Sequence, residues 1–434
     1  MARLVDHPER FQLANEVHAR PPAELKVPAR ASYVAVLIDH SQRDAEHAHL
    51  VALCERYNVV PPTPGATHFS ARIGQVQLKW ERHSEFSSYY FFVEGEGSKP
   101  FADTAVTFLP DGWLDDISGL RIVAAHAVVG ARDERLTPAE IREACYAGNL
   151  LVGAEIGEGA GAAYTDFRIH GDGYSRFLVF NAGMSASQTG RMVQRLFEIE
   201  AYRMLALLAL PVAQRQSPQV QAIERSLAEV TEAVSVESRR DEELLNELSR
   251  FAAEVERALS ATQFRFSASR AYYELVRSRI DELRERRLSG IQTINEFMSR
   301  RLTPAMATCA TMSQRLRDLS ERIAHTSGLL STRVDIAREK QNQALLASMD
   351  RRARLQLRLQ QTVEGLSVAA ISYYIVALLS LLFGALEAAG VRINTEIATG
   401  ISIPVVLLLA GLAMHTIRRR IMRPDAEAAK HSAK

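Results

Sequence analysis

Cysteine is scarce in this 434-residue chain, and its three copies, Cys54, Cys145 and Cys309, lie far apart. That pattern excludes a disulfide framework or a cysteine metal site, fits a reducing compartment, and reads as three small buried side chains. Proline is missing between Pro218 and Pro304 and again between Pro304 and Pro404, and glycine in the soluble part of that span is confined to Gly290, Gly328 and Gly365. A stretch without helix breakers reads as mostly helix. An excess of either charge is also missing: the net charge is +1, which argues against a general nucleic-acid binder. Met1 to Phe11 has no apolar core of signal-peptide length, so nothing there directs export.

Charge disappears altogether from two stretches near the C-terminal end. Leu366 to Leu386 and Ile397 to Ile417 each run 21 residues without Asp, Glu, Lys or Arg. At ~1.5 Å per residue each covers a hydrocarbon layer of ~30 Å. The interval from Glu387 to Glu396 has room for a turn only, so the pair is expected to form a transmembrane helical hairpin with both outer ends on one side. Arg351, Arg352, Arg354 and Arg358 precede it, Arg418, Arg419, Arg420 and Arg423 follow it, and its loop holds Arg392 alone. Positive flanks stay in the cytoplasm, so both termini are expected there.

The remainder divides by texture. Residues 1–213 carry short β-rich stretches, Ser32 to Ile38, Thr67 to Ile73, Gln75 to Trp80, Ser87 to Val93, Arg121 to Val129, Tyr164 to His170 and Ser175 to Phe180. Helical patterns at Arg43 to Tyr57 and Pro138 to Tyr146 lie between them, and Ser187 to Leu210 closes the unit at Pro211. This predicts an α+β or α/β cytoplasmic domain on a largely antiparallel sheet. Polar Gln214 to Gln219 reads as a linker. Residues 214–365 then form a long helical, coiled-coil-like stalk, with apolar positions at Leu244, Leu248, Phe251, Val255 and Leu259, and later at Leu316, Leu319, Ile323, Leu330, Val334 and Ala337. The hairpin occupies 366–417, and 418–434 is a basic tail.

Four polar clusters are candidates for chemistry. Asn15, Glu16, His18 and Arg20 precede Pro21, and Arg20 offers an anion contact at a tethered terminus. Glu81, His83 and Glu85 form the second, Asp166, Arg168, His170 and Asp172 the third, and Glu198, Glu200 and Tyr202 the fourth. On a strand, Asp166, Arg168 and His170 share a face, as do His83 and Glu85, and the expectation for such alternation is a solvated face or a row of salt bridges. No cluster has the spacing of a metal site or a catalytic triad, so no catalytic residue, metal or cofactor is assigned. Gly153, Gly157, Gly159 and Gly161 precede a predicted strand rather than a helix, which makes them a hairpin connection and not a phosphate loop.

Four stretches resemble an uncharacterised membrane-anchored family of proteobacteria, a domain of unknown function: Asn15 to Pro21 (NEVHARP), Asp166 to Phe177 (DFRIHGDGYSRF), Glu198 to Pro211 (EIEAYRMLALLALP) and Gln356 to Tyr374 (QLRLQQTVEGLSVAAISYY). The resemblance runs over almost the whole chain and implies a multi-pass protein of the bacterial inner membrane, without implying a reaction. The order of parts is also similar to that of CorA-type magnesium channels. Those carry Gly-Met-Asn after their first membrane helix, where this chain reads Gly390, Val391, Arg392, Ile393, Asn394, and Arg392 would repel a divalent cation.

Two readings follow. The first is a noncatalytic membrane-anchored protein that assembles as a homo-oligomer through its helical region or with another protein, its partners being the bilayer and other chains, not nucleic acid. The second is a CorA-like cation channel in which Glu387, Arg392, Asn394 and Glu396 line the outer mouth.

Overall fold

The computed structural model describes residues 6–11, 13–14, 21–131, 136–236, 239–390 and 392–421, with side chains as far as Thr416. Asn15 to Arg20, and with them His18 and Arg20, lie outside the described residues. The chain forms two compact units, 1–329 and 330–434.

The first unit is built on one mixed sheet. Its strands are β1 (Ala29–Leu37), β2 (His68–Ile73), β3 (Val76–Arg82), β4 (Phe86–Glu94), β5 (Leu120–Ala131), β6 (Val152–Ile156), β7 (Gly161–Thr165), β8 (Ser175–Asn181) and β9 (Arg286–Arg287), in the order β2-β3-β4-β1-β5-β8-β7-β6-β9. Every pairing is antiparallel except β5 with β8. The expected antiparallel sheet is thus present, with one parallel step, and the domain is α+β. β6 and β7 form the hairpin expected of the glycine-rich stretch. A Cβ on Gly161 would stand 2.7 Å from the Phe180 carbonyl oxygen, so only glycine lets β7 approach β8 there.

Both faces of the sheet are covered, which is why β1 and β4 are buried nearly end to end. Alternation sends Val34, Val36, Leu78, Trp80, Tyr89 and Phe91 to one side, where they pack with Leu50, Leu53 and Cys54 of helix α1 (Arg43–Arg56) and with Trp113. Tyr33 and Tyr90 point the other way and meet Phe197 of helix α3 (Ala186–Leu207). Helix α2 (Pro138–Tyr146) covers β7 and β8 through Ile141, Cys145 and Tyr146. It starts where the sequence says, with Thr137 and Glu140 in a capping box and Pro138 in the first turn.

Helix α3 is seated by the chain's entry segment. Leu25 N–H bonds the Ala186 carbonyl at 3.0 Å. At Gly190 a Cβ would fall 1.7 Å from the Ala23 carbonyl oxygen, so residues 21–25 can cross the helix only over that glycine.

Helices α4 (Ala209–Val236), α5 (Asp241–Leu283) and α6 (Ile294–Ala388) follow. The residues read as a linker, Gln214 to Gln219, are helix instead. Pro211 falls in the first turn of α4, where its missing N–H has no partner to lose, and Pro218 is tolerated further along at the loss of one backbone bond. The helical break is one residue, Leu208. Helix α6 also begins with a capping box, Thr293 with Glu296, and with Glu285 accepting from Ile294 N–H at 2.9 Å and Asn295 N–H at 3.0 Å. β9, between α5 and α6, pairs with β6 and closes that edge of the sheet.

The second unit contains the rest of α6 and helix α7 (Thr395–Ile421). Both helices are long and apolar enough to cross a membrane, and only 6% of the most apolar window of each is buried. The three cysteines are free and buried, and burial pushes each thiol up.

One buried group makes stability depend on pH. His126 of β5 is 3% exposed, stacks on Tyr174 with ring centroids 3.8 Å apart, and shares a 2.8 Å hydrogen bond with Ser32 Oγ. Burial is the main reason its imidazole drops to about 4. The unfolded chain, near the ordinary value of about 6.5, binds the proton first, so this contribution is complete above that value and is lost as pH falls toward 4. Urea unfolding should therefore show a loss of roughly 3 kcal/mol across that window relative to His126→Gln, and identical slopes for both proteins would refute the assignment.

Candidate functional site

The side of the sheet under α3 carries polar residues that alternation alone would leave in water. In β3 the apolar Val76, Leu78 and Trp80 alternate with Gln77, Lys79 and Glu81. Yet Lys79 is 5% exposed and Glu81 4%, because α3 lies over them. Lys79 Nζ sits 3.0 Å from Glu81 Oε1, donates to the Pro21 carbonyl at 3.0 Å, and reaches Gln194 Oε1 at 3.2 Å. Gln194 passes the chain of bonds to Glu198 at 2.7 Å, and Glu198 pairs with Arg279 of α5. Arg279 and Arg195 then share Glu282 at 2.7 and 2.8 Å. Sheet, α3 and α5 are thereby joined by one line of alternating charges.

The geometry assigns this line a structural role. Each charge faces an opposite one, which is what permits burial at all. Burial also raises the phenols of Tyr33, Tyr90 and Tyr202 around it, keeping them protonated. Among the described residues no three His, Cys, Asp or Glu side chains are grouped so as to hold a metal.

The expected clusters are placed as follows. His83 and Glu85 are not on a strand, since β3 ends at Arg82; they form the β3–β4 turn. His83 stacks on Phe86 at 4.2 Å, lies 4.0 Å from Glu81 and 3.3 Å from Ser88 Oγ, whereas Glu85 is clamped by Arg265 of α5 at 2.7 and 3.3 Å. Asp166, Arg168 and His170 likewise lie beyond β7, which stops at Thr165. The chain leaves the ladder there because the Asp166 carboxylate takes Arg168 N–H at 3.1 Å and Asn149 Nδ2 at 2.9 Å, forming a side-chain turn. His170 Nε2 returns to within 3.0 Å of Asp166, and Arg168 is exposed. Asp172 pairs with Arg176 at 3.1 Å. Glu200 pairs with Arg203 along α3.

His83 and His170 do not converge. β3 and β7 are five steps apart in the strand order, which at ~4.8 Å per step separates them by ~24 Å. Five members of the charge line, Lys79, Gln194, Arg195, Arg279 and Glu282, belong to none of the clusters read from the sequence. The local signal existed in Gln77, Lys79 and Glu81 as one polar face of a strand, but the helix that covers it is encoded more than a hundred residues later.

In the second unit the inter-helix residues have plain structural uses. Asn394 Oδ1 accepts from Glu396 N–H at 3.2 Å and Ile397 N–H at 3.3 Å, so it caps α7, and Glu387 is bonded to Thr395. Arg392 and Glu396 are exposed. The helices face each other across an apolar groove of about 410 Å³ lined by Val368, Ile371, Ile375, Val406, Leu409 and Ala413. Leu378 (66%), Leu381 (73%) and Leu408 (65%) are exposed.

The charge line can be tested by subtraction. Lys79→Met leaves Glu81 buried without its cation and should lower stability by roughly 3–5 kcal/mol, while Lys79→Met with Glu81→Leu should restore most of it. Equal losses in the single and double variants, measured by thermal melting in detergent, would show the pair to be unimportant.

Neither the curated proteins nor the solved structures yield a match to this chain. Residues 5–421 match the family described as "Protein of unknown function (DUF3422)".

Proposed function

The chain belongs to that family, and from this premise we propose that it is a noncatalytic membrane-anchored protein whose α7 and the end of whose α6 form a hairpin in the bacterial inner membrane. One observation carries the reading: from Leu366 onward most of the large apolar side chains of both helices lie uncovered. Each Leu or Ile removed from water contributes about 1.5–3 kcal/mol, so a row of them demands an apolar surrounding. Length supports lipid as that surrounding, for the 22 residues Thr395–Thr416 span ~33 Å, and a helix satisfies its backbone bonds internally. The arginines before Leu366 and after Ile417 support cytoplasmic termini, with the Glu387 to Glu396 turn outside.

Assembly through the helical region is the second part of the proposal. Between residues 335 and 363 every side chain of α6 is exposed, yet Leu345, Met349, Leu355, Leu359 and Val363 recur at helical spacing along one stripe. A second copy of the same helix, or another protein's helix, would cover it.

Full-length protein reconstituted with phospholipid vesicles should float with them through a density gradient and resist alkaline carbonate. Leu378→Arg with Leu408→Arg, each costing about 2.5–3.5 kcal/mol at mid-membrane, should remove it from the floating fraction. Sedimentation of the unaltered protein away from vesicles would end the membrane reading. A monodisperse monomer mass in mild detergent, with no partner retained, would end the assembly reading alone.

A further inference from the structure

We propose that the cleft between the β3–β4 turn and helices α3 and α5 binds a small organic anion, its phosphate or carboxylate held by Arg43 and Arg82 and its aromatic body laid against Tyr272. The cleft is open to solvent, measures about 500 Å³, within the ~300–1,000 Å³ usual for small-molecule sites, and is lined by Arg43, Arg82, His83, Phe86, Tyr202 and Tyr272 among others. The inference stands apart from the membrane reading, since every one of these residues belongs to the first unit.

Charge selects the ligand's sign. No carboxylate lines the cleft. Of the acidic groups nearby, Glu85 is clamped by Arg265 and also meets the Tyr272 hydroxyl, Glu81 faces Lys79, and Glu46, which accepts from Trp80 Nε1 at 2.9 Å and Tyr89 hydroxyl at 2.8 Å, is the partner of Arg82. Arg82 reaches Glu46 only at 3.4 Å, and its Nε–H is buried with no acceptor among the described residues. Arg43 donates to the Ser84 carbonyl at 2.9 Å and pairs with no carboxylate among the described residues. Arg82 Nη2 also contacts the Arg43 carbonyl at 3.3 Å, and of these two cations lining the cleft only Arg82 has a carboxylate partner among the described residues. An anion here gains charge-assisted hydrogen bonds and gives Arg43 a counter-charge.

Ring geometry selects the body. Tyr202 and Tyr272 stack at 5.9 Å with 16° between planes, Phe86 meets Tyr272 edge-on at 6.1 Å, and His83 stacks on Phe86 at 4.2 Å. A continuous aromatic wall of this kind takes a planar ring by stacking. Neither half of the site depends on a residue in the buried charge line.

The test uses the full chain in detergent micelles, titrated by calorimetry with phenyl phosphate, inorganic phosphate and phenyltrimethylammonium. Phenyl phosphate should bind saturably at one site, inorganic phosphate about tenfold or more weakly, and the cation not at all. Arg43→Gln should weaken phenyl phosphate about tenfold or more, and Leu275→Trp, which fills the cleft without removing a charge, should abolish binding while circular dichroism stays unchanged. Absence of saturable phenyl phosphate binding, or binding that survives Leu275→Trp, overturns the site. Equal affinity for inorganic phosphate overturns the aromatic half.

Discussion

A charge removed from water has to meet its opposite, and the first unit is organised around that requirement. Lys79 and Glu81 are carried inward by β3, and neither is tolerable there without the other and without the amide of Gln194 above them. Continuing through Glu198, Arg279, Glu282 and Arg195, the pairing fixes how α3 lies on the sheet and how α5 lies on α3. Hydrophobic contact, such as Tyr33 on Phe197 at 5.3 Å, supplies the burial but is less particular about register. Glu224 with Arg315 at 2.6 Å and Glu85 with Arg265 repeat the device between α4 and α6 and between the sheet and α5.

The second unit obeys the opposite rule. From Leu366 onward its helices have almost no charge to pair and few neighbours to cover their apolar side chains. The helix termini are nonetheless finished locally, with Asn394 capping α7 and Gly390, at φ +90°, ending the turn after α6. A polar residue between two greasy helices therefore has a sufficient explanation in helix capping before any role toward an ion is invoked.

Much of the fold was legible. The strands at β1 to β5 and β8, the helices α1 to α3, and the glycine-rich hairpin fall within a few residues of their expected places, because alternation, capping boxes and turn glycines are local signals. Proline misled. Pro211 and Pro218 read as boundaries, yet both lie within α4, one in its first turn and the other in its interior, where packing outweighs a lost bond. The buried stripe of α5 was recognised as far as Val255, then continued through Ala258, Thr262 and Ser269 rather than Leu259, since small and hydroxyl residues can face a neighbouring helix as well as leucine can. The candidate polar residues were identified as clusters, but Asp166 and His170 meet through a turn and not a strand face.

By itself the amino-acid order determined the local elements and the two charge-free apolar helical stretches, because periodicity and absence of charge act over a few turns at most. Only the tertiary structure decided which polar side chains leave water. Lys79 and Gln194 are 115 positions apart and Glu198 and Arg279 are 81, and whether a charge is solvated, paired or aimed into a cleft depends on the element that arrives over it.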